Sequence, residues 1–368
     1  MPKEDWDFAN ADIHYMSHGF HPYPARMIPQ IAKELIRRYS SKEDTVLDPF
    51  CGSGGVLVEA MLAGRDSFGI DINPLACLLA KVKTTPIDPK VLMGQWESLR
   101  KELSRDIGAL RFRQLKVKVP DFSNTNITYW FKPYMIEELA LIKEHIDHIK
   151  DKDIREFFYV CFSHTIRIVS GTRKGEFKLY RMAKKEWDKY TPDVLAVLEE
   201  KVNNAISKMG QFFEFLKQNK INCRAEVFEA DTSQILTEQF PPDAQKKLKE
   251  GSVNLIVTSP PYGDSHTTVA YGQFSRYSLI WLGYDKERVL EIDKKSLGGK
   301  LRDENLNSRT LYSTLQRIST GKRAEEVKSY FIDLNECLEK LSKILAPKGY
   351  ACFVLGNRTV NGIKIPTD

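Results

Sequence analysis

The sequence predicts an α/β fold carrying a large, mostly helical insertion, and three observations lead to it. Residues 43–83, "EDTVLDPFCGSGGVLVEAMLAGRDSFGIDINPLACLLAKVK", read as strand, Gly-rich turn, helix, strand, turn and helix, a βαβ unit on pattern alone. From about Pro86 to Asn222 that alternation stops and helical periodicity replaces it. The α/β pattern resumes at Ala225 with "AEVFEADTSQIL" and the apolar run Val253-Asn254-Leu255-Ile256-Val257.

In chain order, a His/Pro-rich loop, "HYMSHGFHPYPARM", leads into an amphipathic helix expected from about Ile28 to Tyr39. The βαβ unit follows. Four helical patterns fill the insertion, beginning at Val91, Tyr134, Ile154 and Asp193. Beyond the 253–257 strand, Pro260 and Pro261 cannot donate to a sheet ladder, so the strand stops and a rigid loop turns outward from the sheet. A polar stretch of about sixty residues, Gly263 to Arg323, is then expected before a helix, "EEVKSYFIDLNECLEKLSKIL", and a strand, "GYACFVLGN". This gives a core of residues 1–85 and 225–368, with a cofactor half (1–85) and a catalytic half (225–368), around an insertion spanning 86–224.

Bulk properties exclude several classes. The 368 residues are 42% hydrophobic and 28% charged, values of a soluble globular chain, and no window is apolar enough to span a membrane. The polar start "MPKEDWDFAN" is no secretory signal. Six cysteines lie far apart without a Cys-x-x-Cys pair, which speaks against zinc and disulfides and for a reducing cytoplasm. His14, His18 and His21 lack a neighbouring Cys or acidic cluster, so loop packing is expected of them and no metal. Of the net charge of +6, five units fall in residues 161–190, with eight Lys/Arg against three acids. Arg167, Arg173, Lys174, Lys178 and Arg181 there alternate with aromatic residues, a pattern suited to a polyanion. A solvated helix face accounts for the same charge pattern.

In "VLDPFCGSGG" a strand ends at Asp48, and Gly52, Gly54 and Gly55 open a helix, a turn where backbone N–H groups approach a ligand. Asp71 lies 23 residues further on at the end of "SFGID", where a carboxylate can accept both hydroxyls of a ribose. The nicotinamide fingerprint and the Walker A lysine are both absent. An acid at the first strand end repels pyrophosphate but suits the ammonium and sulfonium of S-adenosylmethionine.

Asp48-Pro49-Phe50-Cys51-Gly52-Ser53-Gly54, followed by Ser259-Pro260-Pro261-Tyr262, resembles the paired signatures of prokaryotic site-specific DNA methyltransferases that modify exocyclic amino groups. Further similar segments are "HPYPARM" (21–27), "YWFKP" (129–133), "RKGEFKLYRM" (173–182) and "GNRTVNGIKIPTD" (356–368). The resemblance implies a Rossmann-like S-adenosylmethionine-dependent sheet. It also implies that Phe50, Gly52 and Gly54 line the cofactor pocket, Asp48 meets the methionyl end, Asp71 the ribose and Asp231 the adenine amino group, while Arg26 pairs with the methionine carboxylate.

An aromatic amine is a poor nucleophile because its lone pair is delocalised into the ring. The Ser259 hydroxyl and Pro260 carbonyl can accept its two N–H bonds and localise that pair, prolines 260 and 261 fix the geometry, and Tyr262 offers a face to a flipped base. No Pro-Cys dipeptide exists, which excludes the covalent carbon-5 route. Ser-Pro-Pro-Tyr favours cytosine N4 in this family. Adenine N6, a cofactor-binding subunit dependent on a partner, and an RNA methyltransferase are the alternatives.

Double-stranded DNA is the expected partner, in the cytoplasm at the nucleoid, in a role of the restriction-modification type. Base readout is expected from the insertion or from the 263–323 span, whose Gly298-Gly299 would let a loop close. About five strands are expected where seven are usual in the family. The C-terminal strands would then be missing, and a further segment or a second polypeptide would complete the edge at "ACFVLG".

Overall fold

The computed structural model describes residues 6–122, 125–263, 269–318 and 321–365. Its centre is a five-stranded, all-parallel sheet in the order β3-β2-β1-β4-β5, comprising β1 (Val46–Asp48), β2 (Ser67–Asp71), β3 (Ala225–Glu229), β4 (Val253–Thr258) and β5 (Leu345–Phe353). Strand order reverses between β1 and β4, and in open α/β sheets that switch point is where the carboxyl ends leave a crevice for ligand. Asp48 and the loop after Thr258 sit on its two sides.

Both faces of the sheet are covered, so β1 and β4 read as continuous apolar runs. Val46, Leu255 and Val257 pack with Ala32 and Ile36 of α1 (Pro29–Tyr39) and with Val56 and Ala60 of α2 (Gly55–Leu62). Leu47 and Ile256 point the other way, against Leu341 and Ile344 of the Lys322–Ile344 helix. α3 (Pro74–Thr84) has Pro74 at its first turn, and Asn73 caps it by accepting from the Leu75 N–H (3.1 Å).

The insertion forms four long helices, Pro89–Arg111, Pro133–Asp147, Lys152–Val169 and Val194–Gln218. Their apolar faces close on Leu75, Leu79 and Val82 of α3 in one continuous cluster. The core and the 86–224 block therefore share buried surface.

Two expectations need correction. The 263–323 span is not a long polar loop: it contains the helices Tyr271–Trp281, Lys286–Lys295 and Arg309–Arg317, and Phe274, Tyr277, Leu279, Ile280 and Trp281 are core residues. The "FSRYSLIWL" run carries that signal in a stretch whose average polarity conceals it. Gly298-Gly299 is a pinned turn and not a hinge. The Gly298 N–H donates to Asp333 (2.8 Å), and a Cβ at Gly299 would lie 2.5 Å from the Asp293 carbonyl oxygen. Residues 264–268 of that span and 366–368 lie outside the described residues.

The five expected strands are all in the main sheet, with β5 at its edge. A separate hairpin follows, β6 (Arg358–Val360) and β7 (Ile363–Ile365). It turns through Asn361 and Gly362, both at positive φ (48° and 76°), and this Asn-Gly signal was overlooked in the sequence. Among the described residues no helix is long and apolar enough to cross a membrane.

Candidate active site

Asp48 ends β1 and is buried. Its Oδ1 accepts from Thr258 Oγ1 across the switch point (2.7 Å) and from the Phe50 N–H (3.1 Å). Burial outweighs both bonds and pushes its carboxyl up to about 7. Asp71 ends β2, its two oxygens accepting from the Gly52 N–H (2.9 Å) and the Asn73 N–H (2.8 Å), and burial raises it to about 6. The backbone donors fix both oxygens in space. Gly52 has φ +48°, and a Cβ there would meet the Tyr23 ring at 3.3 Å.

A cavity of about 390 Å³ opens beside these carboxylates. Arg26, Asp48, Phe50, Gly52, Asp71 and Asp231 all line it, and so do Ser259 and Pro261 from the loop after β4. Residues distant in sequence converge there. Asp231 caps the short turn that follows β3, accepting from the Ser233 N–H (2.9 Å) and hydroxyl (2.8 Å). Phe50 packs towards Leu297 and Tyr330. Arg26 donates to the His18 carbonyl (3.0 Å), and burial lowers its pKa.

Gly54, Pro260 and Tyr262 are not in the cavity wall. Gly54 has φ +79° and faces α3, where a Cβ would lie 2.7 Å from Ala80, so its side-chain-free surface serves close helix packing. The Ser259 and Tyr262 hydroxyls lie 2.9 Å apart, and the Tyr330 hydroxyl donates to the Pro261 carbonyl (2.6 Å). The Tyr262 ring rests on Gly356, where a Cβ would lie 2.9 Å from it. The Ser-Pro-Pro-Tyr loop is therefore held by Tyr330 and Gly356 from outside and by the Ser259–Tyr262 contact within it.

The basic stretch divides. Arg167 points inward, donating to the carbonyls of Phe274 (3.1 Å) and Glu176 (3.2 Å) over the Phe274 ring, and burial lowers it to about 10. Lys174 donates to the carbonyls of Ile168 and Ser170 and lies over Tyr190; burial and the like charge of Arg167 lower it to about 8. Arg181 sits among the rings of Tyr129, Trp130 and Trp187, admitted by Gly171, at which any Cβ would strike the guanidinium. Arg173 is exposed and Lys178 half-exposed. His18 and His21 are buried, bonded to Glu59 (2.7 Å) and to Ser163 (2.9 Å) respectively.

Sequence reasoning missed four residues of this neighbourhood: Tyr23, Lys83, Phe177 and Tyr271 line the cavity. Lys83 was findable, since it falls on the 75, 79, 83 stripe that α3 buries.

Residues 2–82 match the family model described as DNA methylase. The type II methyltransferase M.MvaI of Kocuria varians is 37% identical over 98% of this chain and 81% of its own length. The chain belongs to the prokaryotic DNA amino-methyltransferases. A second relative, the type II methyltransferase M.MjaII of Methanocaldococcus jannaschii, is 24% identical over 84% of this chain and 70% of its own length. The tRNA (guanine(10)-N2)-dimethyltransferase of that organism is 46% identical, but over only 20% of each chain. As a DNA amino-methyltransferase the protein needs a methyl donor and DNA, and type II enzymes of this kind belong with restriction-modification.

Proposed function

We propose that this methyltransferase transfers a methyl group from S-adenosylmethionine to the exocyclic N4 of cytosine in a base flipped out of double-stranded DNA. One observation carries the reading: Ser259 and Pro261 open onto the same cavity as Asp48, Asp71 and Asp231. The residues suit the cofactor's chemistry. Asp48, a buried carboxyl with no cation beside it among the described residues, suits an ammonium and sulfonium; Asp71 suits the ribose hydroxyls, Asp231 the adenine amino group, Phe50 the adenine face and Arg26 the carboxylate. Bound there, S-adenosylmethionine supplies an electrophilic methyl group.

The chain's own residues hold the amine. Ser259 Oγ and the Pro260 carbonyl accept its two N–H bonds, so the nitrogen lone pair faces the cavity, and Tyr262 gives the base a stacking face. The Tyr330 hydroxyl on the Pro261 carbonyl steadies this loop without occupying either acceptor assigned to the amine. A neutral hydroxyl at position 259, where adenine enzymes more often place a carboxylate or carboxamide, supports cytosine as the base. Arg173 is exposed and Lys178 half-exposed, and both suit phosphate contacts. The RNA alternative has weaker support, because the tRNA-modifying relative matches only a fifth of the chain.

The test is transfer of labelled methyl to unmethylated genomic DNA, with the digested nucleosides resolved by mass. N4-methylcytosine supports the proposal. N6-methyladenine as the sole product replaces the base assignment, and transfer to RNA alone overturns the substrate.

A further inference from the structure

Lys83, at the end of α3, occupies an environment that is unusual for a lysine. It is 1% exposed, it lines the cavity, and it donates to Ser53 Oγ at 3.0 Å. No acid among the described residues forms an ion pair with it, and burial, with the like charge of Arg26, pushes its pKa well below the usual lysine range. Arg26 reaches the cavity from the 21–27 loop and also pairs with no acid; its donor contact is a backbone carbonyl. Glu59 on the adjacent α2 is buried but already engaged by His18 and Tyr15. A buried ammonium with no counter-ion is costly, so such groups are normally paired or neutral. Two basic groups on one cavity wall, with no acid paired to either among the described residues, suit an anion from outside the chain, which would hold Lys83 in its charged form.

We propose that Lys83, Ser53 and Arg26 form the anion-binding end of the cavity and that their ligand is the α-carboxylate of the cofactor's amino-acid moiety. Lys83 is then a binding residue in its own right, contributed by α3 and not by either sequence motif. A zwitterion fits this layout, with its ammonium at Asp48 and its carboxylate at Lys83. The inference rests on reading the cavity as the S-adenosylmethionine site.

Calorimetric titration of wild type and Lys83→Met with two ligands tests it: S-adenosylhomocysteine, and 5′-methylthioadenosine, which keeps the adenosine and thioether but lacks the amino acid. Lys83→Met is expected to weaken S-adenosylhomocysteine by about tenfold or more, the range of a charge-assisted hydrogen bond, and to leave methylthioadenosine unchanged. Its thermal midpoint should equal or exceed that of wild type, because an apolar side chain replaces an amine buried without an acid partner. Ser53→Ala should give the same ligand pattern with a smaller loss, and it carries the comparison if Lys83→Met does not fold. Unchanged S-adenosylhomocysteine affinity, or equal losses for both ligands, overturns the proposal. Wild type that binds neither ligand is a separate outcome and overturns the reading of the cavity together with it.

Discussion

The cavity and the basic stretch of the insertion are both rich in charge, yet the fold uses that charge in opposite ways. In the insertion, Arg167 and Lys174 donate to backbone carbonyls and Arg181 is sandwiched by three rings, so three of five candidate DNA contacts face the protein itself. In the cavity, Asp48 and Asp71 are held by neutral donors, and among the described residues Arg26 and Lys83 pair with no acid. Charge clustered in sequence is turned largely to internal support, and charge scattered in sequence converges on one cavity. A charge count along a chain thus reports composition, and only the partners report function.

The largest expected effect lies on the cavity side. Ser259→Ala should reduce methyl transfer by about 10²–10³-fold with cofactor affinity intact, because it removes one amine acceptor and leaves Asp48 and Asp71 untouched; single-turnover kinetics beside a binding titration checks this. Equal losses in rate and cofactor affinity would mean that the loop supports the cavity instead. On the insertion side, Arg167→Ala should cost about 2–3 kcal/mol of stability through two lost bonds to buried carbonyls and a lost ring contact, read by denaturant unfolding. Normal stability with weakened DNA binding would return Arg167 to the DNA surface.

The third prediction concerns pH. Asp48 must be ionised to hold a cation, and burial sets its carboxyl near 7, so S-adenosylmethionine affinity should fall about tenfold from pH 8 to pH 6. Stability of the free protein runs the other way: the native state keeps this proton to a higher pH than the unfolded chain does, so Asp48 costs stability as pH rises from about 4 to 7. Asp48→Asn should flatten both dependences, measured by titration and thermal unfolding across that range. The smallest effect is expected from Arg173→Ala, which should leave stability unchanged and reduce the salt slope of DNA binding by about one.

Much of the fold was legible because its signals were local. Asp48 and Asp71 end strands, as their place between apolar runs and turn residues required, and the motif spacing brought Ser259 to the same cavity. The buried Tyr271–Trp281 helix was lost to averaging over a polar span, and the 358–365 hairpin was passed over although its Asn-Gly turn was in plain view. Within the site, Lys83 was masked by its charge, which reads as surface unless helical phase is counted. The inward aim of Arg167 could not be read locally, because its carbonyl partner belongs to Phe274, 107 positions away.

The hydrogen bond from Thr258 to Asp48 joins the residue before Ser259 to the carboxyl assigned to the donor's cationic end. A ligand that draws the proton from Asp48 turns this neutral contact into a charge-assisted one and tightens the strand end from which the Ser259–Tyr262 loop departs. Donor and DNA base should therefore be heterotropic ligands of one another. By thermodynamic reciprocity, whatever factor the donor adds to base capture, the captured base must return to the donor.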